Sequence, residues 1–228
     1  TQSVLNQNQP DQVLHAFKQR QIAIIGAGIA GLTSAWAFAE RGHQVTLYDQ
    51  SEPLVGGSGN PLALLNPKLC PIEQSHEHLM TLAWQHALQH YPKSQAFRPI
   101  QVHQLALKKA EDLLELEQQY PAGLLTAKTA ADCALITEYT SLNLTEAGAV
   151  SPHQLRDQIL AHPLIQFVQA NITQINPAHN ELFNEQAQSL GQFDHVIVCC
   201  ACHTAAFFEQ YPVLKPIRGQ VSWVENTA

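Results

Sequence analysis

No stretch constrains this chain more than Gln21–Asp49, which opens Gln-Ile-Ala-Ile-Ile-Gly-Ala-Gly-Ile-Ala-Gly-Leu. Ile22 to Ile25 form an apolar run short enough for a buried strand. Gly26, Gly28 and Gly31 follow it as a G-x-G-x-x-G turn that opens a helix. The three glycines serve different ends. Gly26 permits the tight turn, Gly28 lets a diphosphate approach the backbone, and Gly31 lets the helix pack closely on the strand. Ala27, Ile29 and Ala30 fill the same turn, and the phosphates are expected to sit over unpaired N–H groups at the positive end of the helix.

A glycine turn alone is a weak signal, so its context decides. Leu32 to Arg41 reads as a helix carrying Ala35, Ala37 and Ala39, with Gly42 where a C-terminal cap belongs. Gln44 to Tyr48 reads as a second strand. It closes on Asp49, about 20 residues beyond Gly28, where an adenosine ribose needs an acceptor. Strand, turn, helix, strand and acid agree on a dinucleotide site. The plainer alternative is a βαβ unit with a glycine-rich turn and no ligand. A nicotinamide dehydrogenase also stays open, because an acid after the second strand serves that coenzyme equally well.

At 228 residues the chain can bury a sizeable core in one large domain or two small ones. Hydrophobic residues at 45% against 14% charged describe a folded protein and exclude a disordered one. The net charge of −7 argues against this segment being a nucleic-acid platform by itself, and Lys108-Lys109 is too small a basic patch to reverse that. No apolar run reaches membrane-span length and no signal-peptide pattern opens the chain, so no membrane partner and a cytoplasmic location are expected. Five cysteines, Cys70, Cys133, Cys199, Cys200 and Cys202, then read as free thiols. The sequons at Asn143 and Asn171 carry no meaning in such a compartment.

Residues 1–20 read as a polar linker with a short helix over Asp11 to Lys18. After Asp49 comes Gln50-Ser51-Glu52-Pro53-Leu54-Val55-Gly56-Gly57-Ser58-Gly59-Asn60-Pro61, a glycine loop suited to close approach of a ligand. Periodicity predicts a helix over Glu73 to Tyr91 with Leu79, Leu82, Ala83, His86, Ala87 and His90 on one side. It predicts another over Glu111 to Tyr120, where Leu113, Leu114 and Leu116 face inward. His86 and His90 share a face but lack the intervening acid and a clear third ligand of a metal site, so they read as an ordinary histidine pair. Strands are expected at Phe97 to Leu107, Leu164 to Gln169, Ile172 to Ile175, Glu181 to Phe183 and Phe193 to Cys199, and a Ser151-capped helix over His153 to Ala161. Ala130 to Ser151 has no clear pattern. Cys199-Cys200-Ala201-Cys202-His203 formally satisfies C-x-x-C-H, the haem attachment signature. Adjacent strand residues face opposite sides, however, so Cys199 and Cys200 read as small apolar thiols beside a cofactor.

These residues together resemble a known family. Ile22 to Asp49, with Ala35 and Gly42 at the extended spacing, is similar to the FAD-binding start of the glycine oxidase and D-amino-acid oxidase superfamily. Within it, Gly57-Ser58-Gly59-Asn60 with Leu62-Ala63-Leu64-Leu65-Asn66-Pro67, Gly148-Ala149-Val150-Ser151-Pro152 and Pro216-Ile217-Arg218-Gly219-Gln220-Val221 resemble the oxidoreductase half of the bifunctional enzymes that modify a tRNA wobble uridine. The resemblance implies an α/β fold: a Rossmann-like FAD-binding domain with an interleaved substrate domain of mixed β-sheet plus helices, cut short at its C-terminus. FAD-binding parts are expected around 21–70 and 151–215, and substrate-domain parts around 95–145 and 216–228. It further implies an upstream S-adenosylmethionine-dependent methyltransferase domain and a tRNA substrate. The activity implied is FAD-dependent oxidation of the carboxymethylaminomethyl group of a wobble 2-thiouridine, giving the aminomethyl nucleoside and glyoxylate. By the same resemblance Gly26 to Gly31 cradle the diphosphate, Asp49 holds the ribose, and Gln50 belongs to the cofactor site. Gly57, Ser58, Gly59 and Asn60 lie near the phosphates and flavin, the backbone of Ile172 lies near adenine, and Cys200 and Ala201 lie near the flavin. Arg218 orients a substrate carboxylate. The family usually has Gly at Ala201. A free glycine, sarcosine or D-amino-acid oxidase and a catalytically silent nucleotide-binding fragment are the alternatives.

Overall fold

The computed structural model describes residues 18–66, 69–107, 110–129, 139–208, 210, 214–217 and 219. At its centre β1 (Gln21–Ile25) lies in a four-stranded parallel sheet of order β11-β1-β2-β7, with β2 (Gln44–Asp49), β7 (Ile165–Gln169) and β11 (His195–Val198). β1 lacks polar alternation because both its faces are covered. Ile22 and Ile24 pack under α1 (Ile29–Ala39) and α4 (Pro152–Leu160) with Leu32, Leu155 and Ile159. Ala23 and Ile25 meet the other side, where β8 (Ile172–Asn176), β9 (Glu181–Asn184) and β10 (Ser189–Gln192) form an antiparallel sheet. The start of β1 is pinned by Asp194, which accepts from the Gln21 N–H at 2.8 Å and from Arg20 at 3.0 Å. Those two donors hold its carboxyl below the usual carboxylate range.

A further sheet is built on β6 (Ser141–Val150). β4 (Phe97–Leu105) pairs along one edge of it, and β3 (Ala63–Leu65) and β5 (Leu125–Lys128) pair end to end along the other. α2 (Leu79–His90) and α3 (Ala110–Gln119) cover one face of this sheet, where Trp84, Leu116, Tyr120, Leu142 and Leu144 form a separate core. Phe97, Leu65 and Val150 join this sheet to the nucleotide-type core. Because β6 leads through Ser151 straight into α4, the chain leaves the parallel sheet after β2 and returns to it through α4 and β7. Ser151 accepts the Gln154 N–H, and Pro152 opens the helix as expected.

Several expectations need correcting. The helix expected over Glu73 to Tyr91 is α2 alone, preceded by a 3₁₀ turn at Ile72–Gln74. Its buried face is Thr81 and Trp84, while Leu79 and Leu82 are 75% and 42% exposed. Trp84 decides the orientation, since it packs with Leu116, Tyr120 and Leu142 and donates its indole N–H to the Glu146 carbonyl at 3.0 Å. The unreadable region around 141–150 is the longest strand of the protein's described part. β3, β5 and β10 carry three or four residues each, too few for a period to show, and pairing alone makes them strands. The expected helix over Asp11 to Lys18 falls almost wholly outside the described residues, as do Lys108-Lys109, Cys133 and Arg218.

Candidate functional site

The glycine turn forms because nothing larger fits. Gly26 has φ +103°, and a Cβ there would stand 2.5 Å from the Cys199 carbonyl oxygen. Its N–H donates to the Tyr48 carbonyl at 2.7 Å, closing the bend between β1 and β2. A Cβ on Gly31 would collide with the Gly26 carbonyl, so that helix-to-strand approach needs glycine. Gly28 stands at the N-cap of α1 in extended backbone, and a Cβ there would lie 3.4 Å from Ser58 Oγ. Between them Ala27 is fully buried.

Asp49 closes the bend from the other strand. Its Oδ2 accepts the Ala27 N–H at 2.7 Å, and Oδ1 accepts the Ser51 N–H at 3.0 Å and the Ser51 hydroxyl at 3.1 Å. A carboxylate offers about four acceptor positions, so these three bonds leave room for a sugar hydroxyl. Leu54, buried at φ +70°, turns the chain back by donating its N–H to the Ala27 carbonyl at 3.2 Å. That fold-back brings Ser58 to the start of α1, where its Oγ accepts the Ile29 N–H at 3.1 Å. The N–H groups of Gly28 and Ala30 have no protein acceptor among the described residues. Ser58 still has its own hydroxyl proton to give. Unpaired donors at a helix start, with Gly28 keeping the approach to them clear of a Cβ beside Ser58, suit a diphosphate.

Two clefts flank this bend. One of about 850 Å³ lies outside the C-terminal ends of β2 and β7, lined by Gln50, Ser51, Gln169, Ala170 and Asn171. Its floor is tied by the Ala170 N–H to the Asp49 carbonyl at 2.8 Å and by Gln169 to the Gln50 carbonyl at 3.3 Å. Ligands of open α/β sheets bind outside these strand ends. Ile172 is buried beneath it against Tyr48 and Leu182, so its side chain does not line the cleft. A second cleft of about 760 Å³ lies between the Glu52–Asn60 loop and the α4 residues His153 and Arg156, which no sequence motif singled out. Gly57 and Asn60 line this second cleft.

Past β11, Cys199 packs toward α1 and Cys200 toward the antiparallel sheet, on opposite faces as strand alternation requires. The Cys199 N–H and the Cys200 thiol both donate to the Ile25 carbonyl, at 2.7 and 3.3 Å. Burial, with Cys199 and Asp49 beside it, pushes the Cys200 thiol up to about 11, so it stays protonated at neutral pH. Ala201 has φ +48°, a conformation in which glycine would be free of strain. His86 and His90 stack at 5.7 Å, and His90 meets the Trp36 ring at 4.6 Å. Burial, then His86 and Lys93, lowers the His90 pKa. Among the described residues no three His, Cys, Asp or Glu side chains converge on a point that suits a metal.

A parallel sheet with a glycine turn, an acid at the end of its second strand and open donors at the helix start defines an α/β fold of the dinucleotide-binding class. The chain belongs to the DAO family of FAD-dependent oxidoreductases, whose model matches residues 21–228. It is 54% identical over 210 residues to the tRNA 5-methylaminomethyl-2-thiouridine biosynthesis bifunctional protein MnmC of Acinetobacter baylyi, covering 91% of this chain and 34% of that protein. The MnmC of a Psychrobacter species is 30% identical over 246 residues, covering 91% and 33%. The chain thus spans about a third of the length of these relatives. In fold it is similar to iminodiacetate oxidase from a Chelativorans species, with TM-score 0.63, 18% identity and coverage of 81% of this chain and 56% of that one. Glycine oxidase from Geobacillus kaustophilus gives TM-score 0.60 and 15% identity over 83% and 57%.

Proposed function

We propose that this chain holds FAD and works, within a longer protein, on the carboxymethylaminomethyl group of a tRNA wobble 2-thiouridine. In that reading the products are the aminomethyl nucleoside and glyoxylate, and an upstream methyltransferase domain methylates the freed amine. The observation that carries it is the 54% identity with a bifunctional tRNA-modifying protein across 91% of the chain. The cytoplasm is the compartment that suits such a substrate. Among the described residues no helix is long and apolar enough to cross a membrane.

The residues divide the work as follows. Gly26, Ala27, Gly28, Ile29, Ala30 and Gly31 surround the diphosphate, with the Gly28 and Ala30 N–H groups as its donors and Ser58 adding a hydroxyl. Asp49 accepts from the ribose while Ala27 and Ser51 hold its carboxylate still. Gln50, Ala170 and Asn171 wall the cleft in which adenine lies, above Ile172. Gly57, Gly59, Asn60, Cys200 and Ala201 lie toward the flavin, where a protonated Cys200 adds no charge. The FAD-binding parts then cover 21–70 and 151–215, and the β6 sheet belongs to the substrate domain apart from β3, which the first FAD-binding part lends to its edge. When bound, FAD accepts two electrons from the CH₂–N unit of the N-substituted glycine, whose oxidised product water cleaves to amine and glyoxylate.

An absorption spectrum of the purified protein, with the released cofactor identified, tests the first half. Anaerobic mixing with hypomodified tRNA, and separately with glycine, sarcosine and D-amino acids, tests the second. Loss of the oxidised flavin band with tRNA alone is the expected result. Loss with free amino acids alone replaces the tRNA reading by a free amino-acid oxidase, and a nicotinamide in place of flavin removes both.

A further inference from the structure

The glycine loop is tied at two successive residues, to two different helices. Ser58 accepts the Ile29 N–H at the start of α1, and the carbonyl of Gly59 lies 3.2 Å from His153 Nε2 on the first turn of α4. The other ring nitrogen of His153 is 3.4 Å from Arg156 Nη1. Arg156 is in turn held by Asp157, with Nε at 2.8 Å and Nη2 at 2.7 Å from Oδ1. A guanidinium only donates, so His153 Nδ1 accepts, and the ring keeps its proton on Nε2, where a carbonyl needs a donor. The partners on both sides therefore select one tautomer. Gly59 itself has little freedom: its N–H donates to the Gly56 carbonyl at 3.0 Å, and a Cβ would collide with the Leu54 carbonyl.

We infer that His153, oriented by Arg156, is a positioning residue that holds the Gly56–Asn60 loop against the start of α1, so that Ser58 meets the cofactor diphosphate already in place. The inference rests on the FAD reading above. A loop rich in glycine loses more conformational freedom on ordering than any other. Left untied, it would meet that cost at the moment of binding, and the cofactor would bind more weakly. The tie also has a direction. α4 follows β6 through Ser151 alone, so the loop is fastened to the element by which the chain returns from the β6 sheet.

Two variants and two readouts test this. Purified chain carrying His153→Ala is expected to bind FAD about tenfold more weakly in a fluorescence titration. His153→Gln, whose amide nitrogen restores a donor near the Nε2 position, is expected to recover affinity to within about threefold of the unaltered chain. In the FAD-free protein, amide hydrogen exchange over Gly56–Asn60 should be faster in the alanine variant and restored by glutamine, with exchange over β8 and β9 unchanged in both. Equal FAD affinity and equal loop exchange in the alanine variant overturn the inference. Equal losses in both variants overturn it too, since a packing role would not distinguish the donor. If the unaltered chain binds no FAD, the cofactor reading fails, and the exchange comparison still decides whether His153 holds the loop.

Discussion

At the scale of single residues, the candidate site is a set of backbone donors and one carboxylate that arranges them. Asp49 accepts three bonds, one of them from the N–H of fully buried Ala27. Asp49→Ala is expected to leave that N–H unpaired and to cost about 1–3 kcal/mol of stability, measured by urea unfolding of the FAD-free chain. Its FAD affinity should fall as well, since the acceptor proposed for the ribose goes with it. Ala201 makes the opposite case. Its φ of +48° puts a Cβ where only glycine is free of strain, and Ala201→Gly is expected to stabilise the fold by about 1 kcal/mol in the same assay.

At the scale of elements, the tight contact is between α1 and β1. Their approach is set by Gly31 against the Gly26 carbonyl, with Leu32, Ala35 and Ala39 burying the rest of the interface. Gly31→Val is therefore expected to lower the thermal midpoint sharply, through overpacking of at least about 1–3 kcal/mol, before any effect on cofactor binding is considered. A differential scanning experiment on the FAD-free protein checks this. α2 shows the limit of reading elements singly. Its leucines suggest one buried face and Trp84 takes another, because a sequence period reports which faces are apolar and not which one a neighbour covers.

For the whole molecule, protons held by buried groups make the fold sensitive to alkali. Burial raises the pKa of Tyr48, Tyr91 and Tyr120 and of Cys199, and Cys200 moves from its ordinary 9.0 to about 11. These groups keep their protons in the folded state after the unfolded chain has lost them. Their stabilising share is complete below pH 9.0 and is lost as pH rises to and beyond about 11. The urea midpoint is expected to fall steadily over that interval, and Cys200→Ala to flatten part of the fall. The three sheets reach this arrangement by an excursion and return: the chain leaves after β2, builds the β6 sheet, and rejoins through α4 and β7.

The amino-acid sequence by itself determined the bend and its chemistry, because the strand, glycines, helix cap and Asp49 all lie within Gln21–Asp49 and act on near neighbours. It also marked β11 and the Ser151 cap, whose signals are equally local. Tertiary structure alone decided that β3, β5, β6 and β10 are strands, that Trp84 turns α2, and that the Ile172 side chain packs beneath the cleft against Tyr48 and Leu182. It alone brought His153 to Gly59 across 94 residues of chain. Pairing partners and covered faces are set by which distant surfaces meet, and no window of sequence contains both sides of such a contact.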